Sequence, residues 1–244
     1  MGVVTWQDGR VSTGASISVG HAISGASLRA AYASAVKDVT FGLGELRDNA
    51  MRIGPLTLLR FGAPKVTRYA VEWPIESGLL AGAAGGTLHV RSSRGVVEAT
   101  VIGYRPRLPR ALYAISQLQV HKLFTRLYLL RLRGTDPPLG AIAREPDRFR
   151  AGTIDAALCV SIAGFTGRRR VRRALLIAAV YQVACWSLFG RTFGGAVMRQ
   201  RVVAWDGSKV TPAQALFRIA LVPASWLTGK PMHDELAATT VVND

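Results

Sequence analysis

The run Ala174-Leu-Leu-Ile-Ala-Ala-Val-Tyr-Gln-Val-Ala-Cys-Trp-Ser-Leu-Phe-Gly190 carries no charged residue. A membrane-spanning helix needs about 20 apolar residues, with a floor near 17, so this run sits at the threshold. A second stretch, Ala151 to Gly167, holds one charge, Asp155. A third, Ile219 to Gly229, is shorter and follows Arg218. Hydropathy alone leaves membrane helices and core helices both open. The arrangement expected is a hairpin of two helices with a third lying against them. Between the first two stretches stands Arg168-Arg169-Arg170-Val171-Arg172-Arg173. Cytoplasmic loops are enriched in Lys and Arg, which would put this loop inside. Yet Arg144, Arg148 and Arg150, with Arg191, Arg199, Arg201 and Lys209, outnumber it from the opposite side. The balance favours an inside N-terminus, with the arginine loop outside or at the interface. If the stretches are not spans, that loop is a solvated turn.

The rest of the chain is basic as well. Net charge is +16 over 244 residues, and +10 of it falls in residues 1–150. Nucleic acid and an anionic membrane surface are the two partners such a balance fits. No helix-turn-helix, zinc-finger or RNP pattern is present, and exposed aromatics do not interleave the basic runs. Basic segments beside apolar helices fit lipid headgroups better, so no nucleic-acid partner is expected. Charged residues are only 19 % of the chain, below the roughly 25 % of soluble domains. The two cysteines, Cys159 and Cys185, lie in apolar runs without metal-ligand spacing. The first residues lack a basic segment followed by an apolar one, and Trp6 breaks the myristoylation pattern. Residues 1–140 are therefore expected to stay in the cytoplasm.

Residues 1–25, rich in Gly and Ser, read as loose. Leu28, Ala31, Tyr32, Ala35, Val36 and Val39 have helical spacing, with Ser27 a plausible N-cap. Leu56–Phe61, Val66–Trp73, Thr87–Arg91 and Val96–Tyr104 read as strands, the last two joined by a turn at Ser92-Ser93-Arg94-Gly95. Gly78 to Gly86 reads as a loop. Residues 110–133 form a basic helix ending at Gly134. Its face of Leu123, Phe124, Leu127 and Leu130 suits either the preceding sheet or a membrane interface. Pro137, Pro138 and Gly140 mark a linker over 136–147. The expected fold class is an α+β N-terminal cytoplasmic domain (1–135), then a small α-helical membrane domain (148–244) with two to three short spans and a β-hairpin.

Arg148-Phe-Arg-Ala-Gly-Thr-Ile154-Asp155 sets an arginine seven residues before an aspartate at the start of an apolar stretch. Thr192-Phe-Gly194 follows the second stretch, then Val202-Val203 and an Asp206-Gly207 turn. Arg218 opens the third. His233-Asp234, Leu236-Ala237 and Thr240-Val241-Val242 close the chain. This ordered series resembles the RDD family of bacterial membrane proteins, named for one arginine and two aspartates. The resemblance covers residues 148 to 244 and implies a bacterial inner (cytoplasmic) membrane location. Three departures stand out. Gly194-Gly195 replaces a frequent Gly-Lys, the arginine loop is unusual, and the spans are short.

A carboxylate at Asp155 in an apolar helix is costly unless paired, and intramembrane acids are functional candidates. Arg148 lies two helical turns earlier on the same side, so an ion pair between them is geometrically plausible if the helix extends that far back, as a structural pair or cap at the membrane boundary or as part of an ion or proton pathway. His233 and Asp234 invite a catalytic reading. No nucleophile motif accompanies them, and His21, His89, His121 and His233 lack metal spacing. Asp234 is expected to cap or turn the chain. Asp206-Gly207, between Val202–Trp205 and Ser208–Thr211, is a hairpin signal. No catalytic or metal site and no cofactor is expected.

Three roles are carried forward. The first is a non-enzymatic membrane protein whose RDD-like domain anchors a ligand- or partner-binding module, with membrane-protein partners or homo-oligomers. The second is a transporter or accessory subunit, since cation–proton exchange is associated with the family, using Asp155. The third is a binding or enzymatic cup, marked by a deep pocket between the 56–104 strands and the 110–133 helix.

Overall fold

A computed structural model of the chain describes residues 4–135, 140–164 and 170–244. The chain divides into two compact units, Met1–Gly134 and Thr135–Asp244. The first is a mixed α/β unit. In order it contains β1 (Val4–Gln7), β2 (Arg10–Ser18), α1 (Gly25–Val39), β3 (Gly44–Arg47), β4 (Ala50–Ile53) and β5 (Leu56–Phe61). There follow β6 (Lys65–Val66), β7 (Ala70–Ser77), β8 (Thr87–Ser93), β9 (Val96–Tyr104), α2 (Arg110–Ile115) and α3 (Gln117–Arg133). The strands make one antiparallel sheet in the order β1-β2-β9-β8-β7-β5-β4-β3, with β6 added beside β7.

Three tight turns set the register. Asp8-Gly9, Asp48-Asn49 and Arg94-Gly95 each place two successive residues at positive φ, the geometry that two-residue hairpins need to match strand twist. Residues 4–18, expected to be loose, are therefore a hairpin. Its signal was the Asp-Gly pair between two short alternating runs. In β8 and β9 alternate residues are buried, which packs Leu88, Val90, Val97, Ala99 and Val101 into the core.

Helix α1 begins earlier than expected. Ser24, not Ser27, is its N-cap, and the Ser24 side chain accepts the Ser27 N–H at 3.1 Å. Gly25 is required there because a Cβ would lie 2.2 Å from the Thr67 carbonyl oxygen. Tyr32 then meets Trp73 at 5.0 Å and Phe124 and Tyr128 at 5.4 Å each, ring centre to ring centre. Tyr128 donates its hydroxyl to the Leu28 carbonyl at 3.0 Å. The helix expected over 110–133 is broken at Ser116, whose backbone leaves the helical region. Beyond the break, Leu127, Tyr128, Leu129 and Leu130 are buried, so the C-terminal half of α3 faces inward. Tyr128 and Leu129 of α3 share one core cluster with Trp73, Leu88 and Val101 of the sheet. An open groove of about 770 Å³ lies elsewhere in this unit, along α1 and the β3–β4 hairpin.

The second unit contains α4 (Glu145–Ala163), α5 (Arg170–Leu188), α6 (Phe193–Val197), β10 (Gln200–Ala204), α7 (Pro212–Thr228), α8 (Met232–Ala237) and β11 (Thr239–Asn243). Its small core joins Ala143, Trp186, Val202, Val210, Ala215 and Val241. The end of the expected linker is part of this unit, since Ala143 N–H donates to the Val241 carbonyl at 2.9 Å. Among the described residues, one helix is long and apolar enough to cross a membrane, over Val171–Leu188, and very little of it is buried within the protein. Two to three spans were expected. α4 fails the criterion because its first turns are charged, from Glu145 to Arg150. α7 is shorter and contains Pro223. The expected arginine loop lies partly outside the described residues. The expected hairpin pairs differently as well. β10 pairs along its length with β11, and only a single bridge, Val203 to Lys209, follows the Asp206-Gly207 turn.

Candidate functional site

The sequence-derived polar residues gather into two clusters within the second unit. The larger is centred on Asp234. This residue sits in the first turn of α8, set there by the glycine turn after α7, where Gly229 takes a left-handed conformation. Arg218 of α7 donates from Nε and Nη2 to Asp234 Oδ1, at 2.9 and 2.7 Å. Thr239 at the start of β11 donates to the same oxygen at 3.0 Å. Arg148 of α4 donates to Oδ2. One carboxylate thus ties α4, α7, α8 and β11 together. Arg218 and Asp234 are buried, and the Arg218 guanidinium also lies over the Trp186 ring of α5 at 4.3 Å, a cation–π contact.

Burial would raise the Asp234 carboxyl, but Arg218 and Arg148 outweigh it and hold it below the usual carboxylate range. His233 is pushed down, first by burial and further by the two guanidiniums, against the pull of Asp234. Its hydrogen bonds agree with a neutral ring. The Ser225 hydroxyl has the Leu221 carbonyl to donate to, at 3.2 Å. Nδ1 of His233, 2.8 Å from Ser225 Oγ, is then the donor, and Nε2 accepts from Arg148 at 3.4 Å.

Ser225, His233 and Asp234 have the identities of a nucleophile, base and acid. Ser225 Oγ lies at Nδ1, and the Asp234 carboxylate, engaged by Arg148 and Arg218, lies 3.5 Å from Nε2. Ser225 Oγ also accepts the His233 N–H at 2.9 Å, which fixes the α7–α8 turn.

The smaller cluster is centred on Asp155. The expected ion pair with Arg148 is not formed. Asp155 Oδ1 instead accepts from Tyr181 of α5 at 2.9 Å and from the Gly194 N–H at 2.8 Å. Tyr181 Oη in turn accepts the Phe193 N–H at 2.6 Å. Thr192 is the N-cap of α6, its hydroxyl accepting the Gly195 N–H at 3.1 Å. Gly194 is dictated by packing, since a Cβ would stand 2.1 Å from the Ala151 carbonyl oxygen. Asp206 stays apart from both clusters and accepts from the Ser208 N–H and hydroxyl, at 3.1 and 2.6 Å. Gly207 supplies the positive φ of that turn.

Sequence reading missed Tyr181, Ser225, Thr239 and Trp186. Tyr181 carried a faint signal, as a polar ring in an otherwise uncharged run. The others carried none. Among the described residues, no three His, Cys, Asp or Glu side chains converge to hold a metal.

The second unit is thus a small helical unit with one exposed apolar helix, braced by buried polar clusters. The model of the RDD family matches residues 173–238. Thr192, Gly194, Asp206, Gly207, Arg218, His233 and Asp234 fall inside that match, while Arg148 and Asp155 precede it. Comparison with curated proteins and with solved structures gives no match.

Proposed function

We propose that this chain is a non-enzymatic bacterial membrane protein, in which the RDD-like unit is an anchor and assembly domain carrying a cytoplasmic binding module in residues 1–134. The observation that carries this reading is how the polar residues are used. Asp234 is satisfied by Arg148, Arg218 and Thr239, and Asp155 by Tyr181 and Gly194. Such networks hold helices together. Beside them α5 presents Val171, Leu175, Leu176 and Val180 outward. At 1.5 Å per residue its 18-residue apolar window measures about 27 Å, close to the roughly 30 Å hydrocarbon core. Bilayers with anionic headgroups suit the positive charge of the chain, and homo-oligomers or other membrane proteins suit a unit with few spans. In the first unit, the groove lined by Ala30, Ala33, Leu46 and Trp73, with Arg29 and Asp48 on its walls, is where a ligand or partner would bind.

Fractionation with a carbonate wash tests the reading. The full-length protein is expected to stay with the membrane pellet. Release into the supernatant would overturn it.

The second reading is a transporter or accessory subunit. One observation favours it: Asp155 is a buried acid on α4 beside α5. Asp155→Asn would then abolish pH-dependent ion flux in proteoliposomes. Flux unchanged in the variant, or absent in the parent protein, removes this reading.

A further inference from the structure

The corner between the sheet and α3 in the first unit runs from Arg105 to Val120, and most of its residues are exposed. Helix α2 is held mainly through Tyr113, which is buried against Trp6 at 5.4 Å and Tyr104 at 6.3 Å. Its other apolar residues turn outward. Leu112 is 52 % exposed, Ile115 75 %, and Val120 at the start of α3 67 %, with Leu108 just before α2 exposed as well. A soluble unit gains nothing from four large aliphatic side chains in water along one short segment, and such exposure marks a docking surface.

The charge of the segment selects the partner. No Asp or Glu occurs between Glu98 and Asp136, while Arg105, Arg107, Arg110 and Lys122 lie within or beside the apolar residues. All four cations are exposed. Arg105, Leu108 and Arg110 also line a half-open recess of about 310 Å³, together with Trp6, Asp8 and Pro106. The Arg110 guanidinium is seated 5.3 Å over the Trp6 ring, which fixes it at the rim. Aliphatic side chains flanked by arginines, with a polar recess beside them, are the makings of a surface that lies on a bilayer. The side chains enter the acyl boundary and the arginines meet phosphates. Either signal alone is marginal, and the two together give stable attachment.

We propose that residues 105–120 of the first unit are a docking surface for an anionic lipid bilayer, with Leu108, Leu112, Ile115 and Val120 entering the interface and Arg105, Arg107 and Arg110 binding headgroup phosphates. This shares with the proposed function the presence of a membrane and does not depend on α5 spanning it.

The test uses the full-length protein with Cys159 and Cys185 replaced by Ala. A single reporter cysteine is placed at Ile115 (I115C) or at Leu176 (L176C) and labelled with an environment-sensitive dye. Each labelled protein is reconstituted in vesicles of phosphatidylcholine alone and of phosphatidylcholine with phosphatidylglycerol. The dye at 115 should be blue-shifted and quenched by nitroxide-labelled lipid in the anionic vesicles, and shielded from a soluble quencher. Replacing Arg105, Arg107 and Arg110 by Gln should lower this partitioning on the order of 100-fold, about 1 kcal/mol per arginine. Leu112→Ser, a change at an exposed position that leaves the core intact, should weaken it as well.

A dye at 115 that stays water-exposed on anionic vesicles overturns the proposal. So does lipid quenching that is equal in both vesicle types and indifferent to the arginines. Shielding from both quenchers overturns it in favour of a protein partner. The dye at 176 reports on α5 separately. Lipid contact at 115 with water contact at 176 would keep this surface and remove the spanning anchor.

Discussion

At the scale of single residues, the second unit is organised by two carboxylates with different partners. Asp234 neutralises buried guanidinium, and removing one member of such a pair leaves an uncompensated charge. Asp234→Asn is expected to cost about 3–5 kcal/mol, read as a lowered unfolding midpoint in detergent. The pH dependence follows from the shifts. Asp234 has its carboxyl held below its usual 3.8 in the fold. Its ionised form therefore stabilises the fold above that value, and the stabilisation is lost as pH falls through it. His233 is held below its usual 6.5, so the fold favours the neutral ring and loses stability as pH drops below that value. His233→Gln should remove the loss that begins near pH 6.5 while leaving the loss below about pH 4. An unchanged pH profile in that variant would refute the neutral-ring assignment. Gly194→Ala forces α6 away from α4 and is expected to cost about 1–3 kcal/mol, measured in the same assay.

Arg148, Asp155, Thr192, Gly194, Arg218, His233 and Asp234 were legible in the sequence, and neither their pairing nor the partners Tyr181, Ser225, Thr239 and Trp186 were. Arg148 and Asp155 are two helical turns apart on one helix, which made them look like partners. Arg148 is instead taken by Asp234, 86 residues away in sequence. Helical periodicity states which side chains share a face. It does not state which distant element packs against that face.

At the scale of elements, the same limit explains the mixed record of the first unit. The boundaries of β5 and β9 followed from apolar runs between turn residues, and Ile115-Ser116-Gln117 gave no warning of the break between α2 and α3. The β1–β2 hairpin was hidden because Ser, Thr and Gly dominate β2, and its burial pattern alternates only over its first half. In the second unit, length and apolarity flagged α5, α4 and the third stretch almost equally. The structure separates them by what surrounds each: α5 packs one side against α4 and α7 through Tyr181 and Trp186, and very little of its apolar window is fully buried. That difference can be measured. Val180 is exposed midway along α5, so in water Val180→Arg would change stability by no more than about 0.5 kcal/mol. In a bilayer centre an arginine costs about 2.5–3.5 kcal/mol by insertion scales. The membrane-associated fraction of an Arg variant should therefore fall, while Val180→Ala should remain at parental levels. Equal membrane recovery of both variants would argue that α5 does not lie in lipid.

At the scale of the whole molecule, the two units differ in how they hold together. The first has a large core of aliphatic and aromatic side chains spanning a sheet and two helices. The second has a core of few apolar residues and relies on the Asp234 and Asp155 networks. Hydrophobic cores respond to lost volume, and buried ion networks respond to lost charge. Substitutions should therefore act unit by unit. Leu28→Ala opens a cavity in the first core at a cost of about 2–5 kcal/mol. For a unit of this size that corresponds to a drop of roughly 6–15 °C in its melting temperature. Acidification below pH 4, or Asp234→Asn, should lower the transition of the second unit instead. Hydrogen exchange followed by peptide-level mass spectrometry in detergent separates the two. Leu28→Ala is expected to speed exchange in β7, β8 and α1 and to leave β10 and β11 protected. Asp234→Asn should do the reverse. If either substitution deprotects both sets of peptides together, the chain is a single cooperative fold, and the division of its stability between an apolar core and an ion network is wrong.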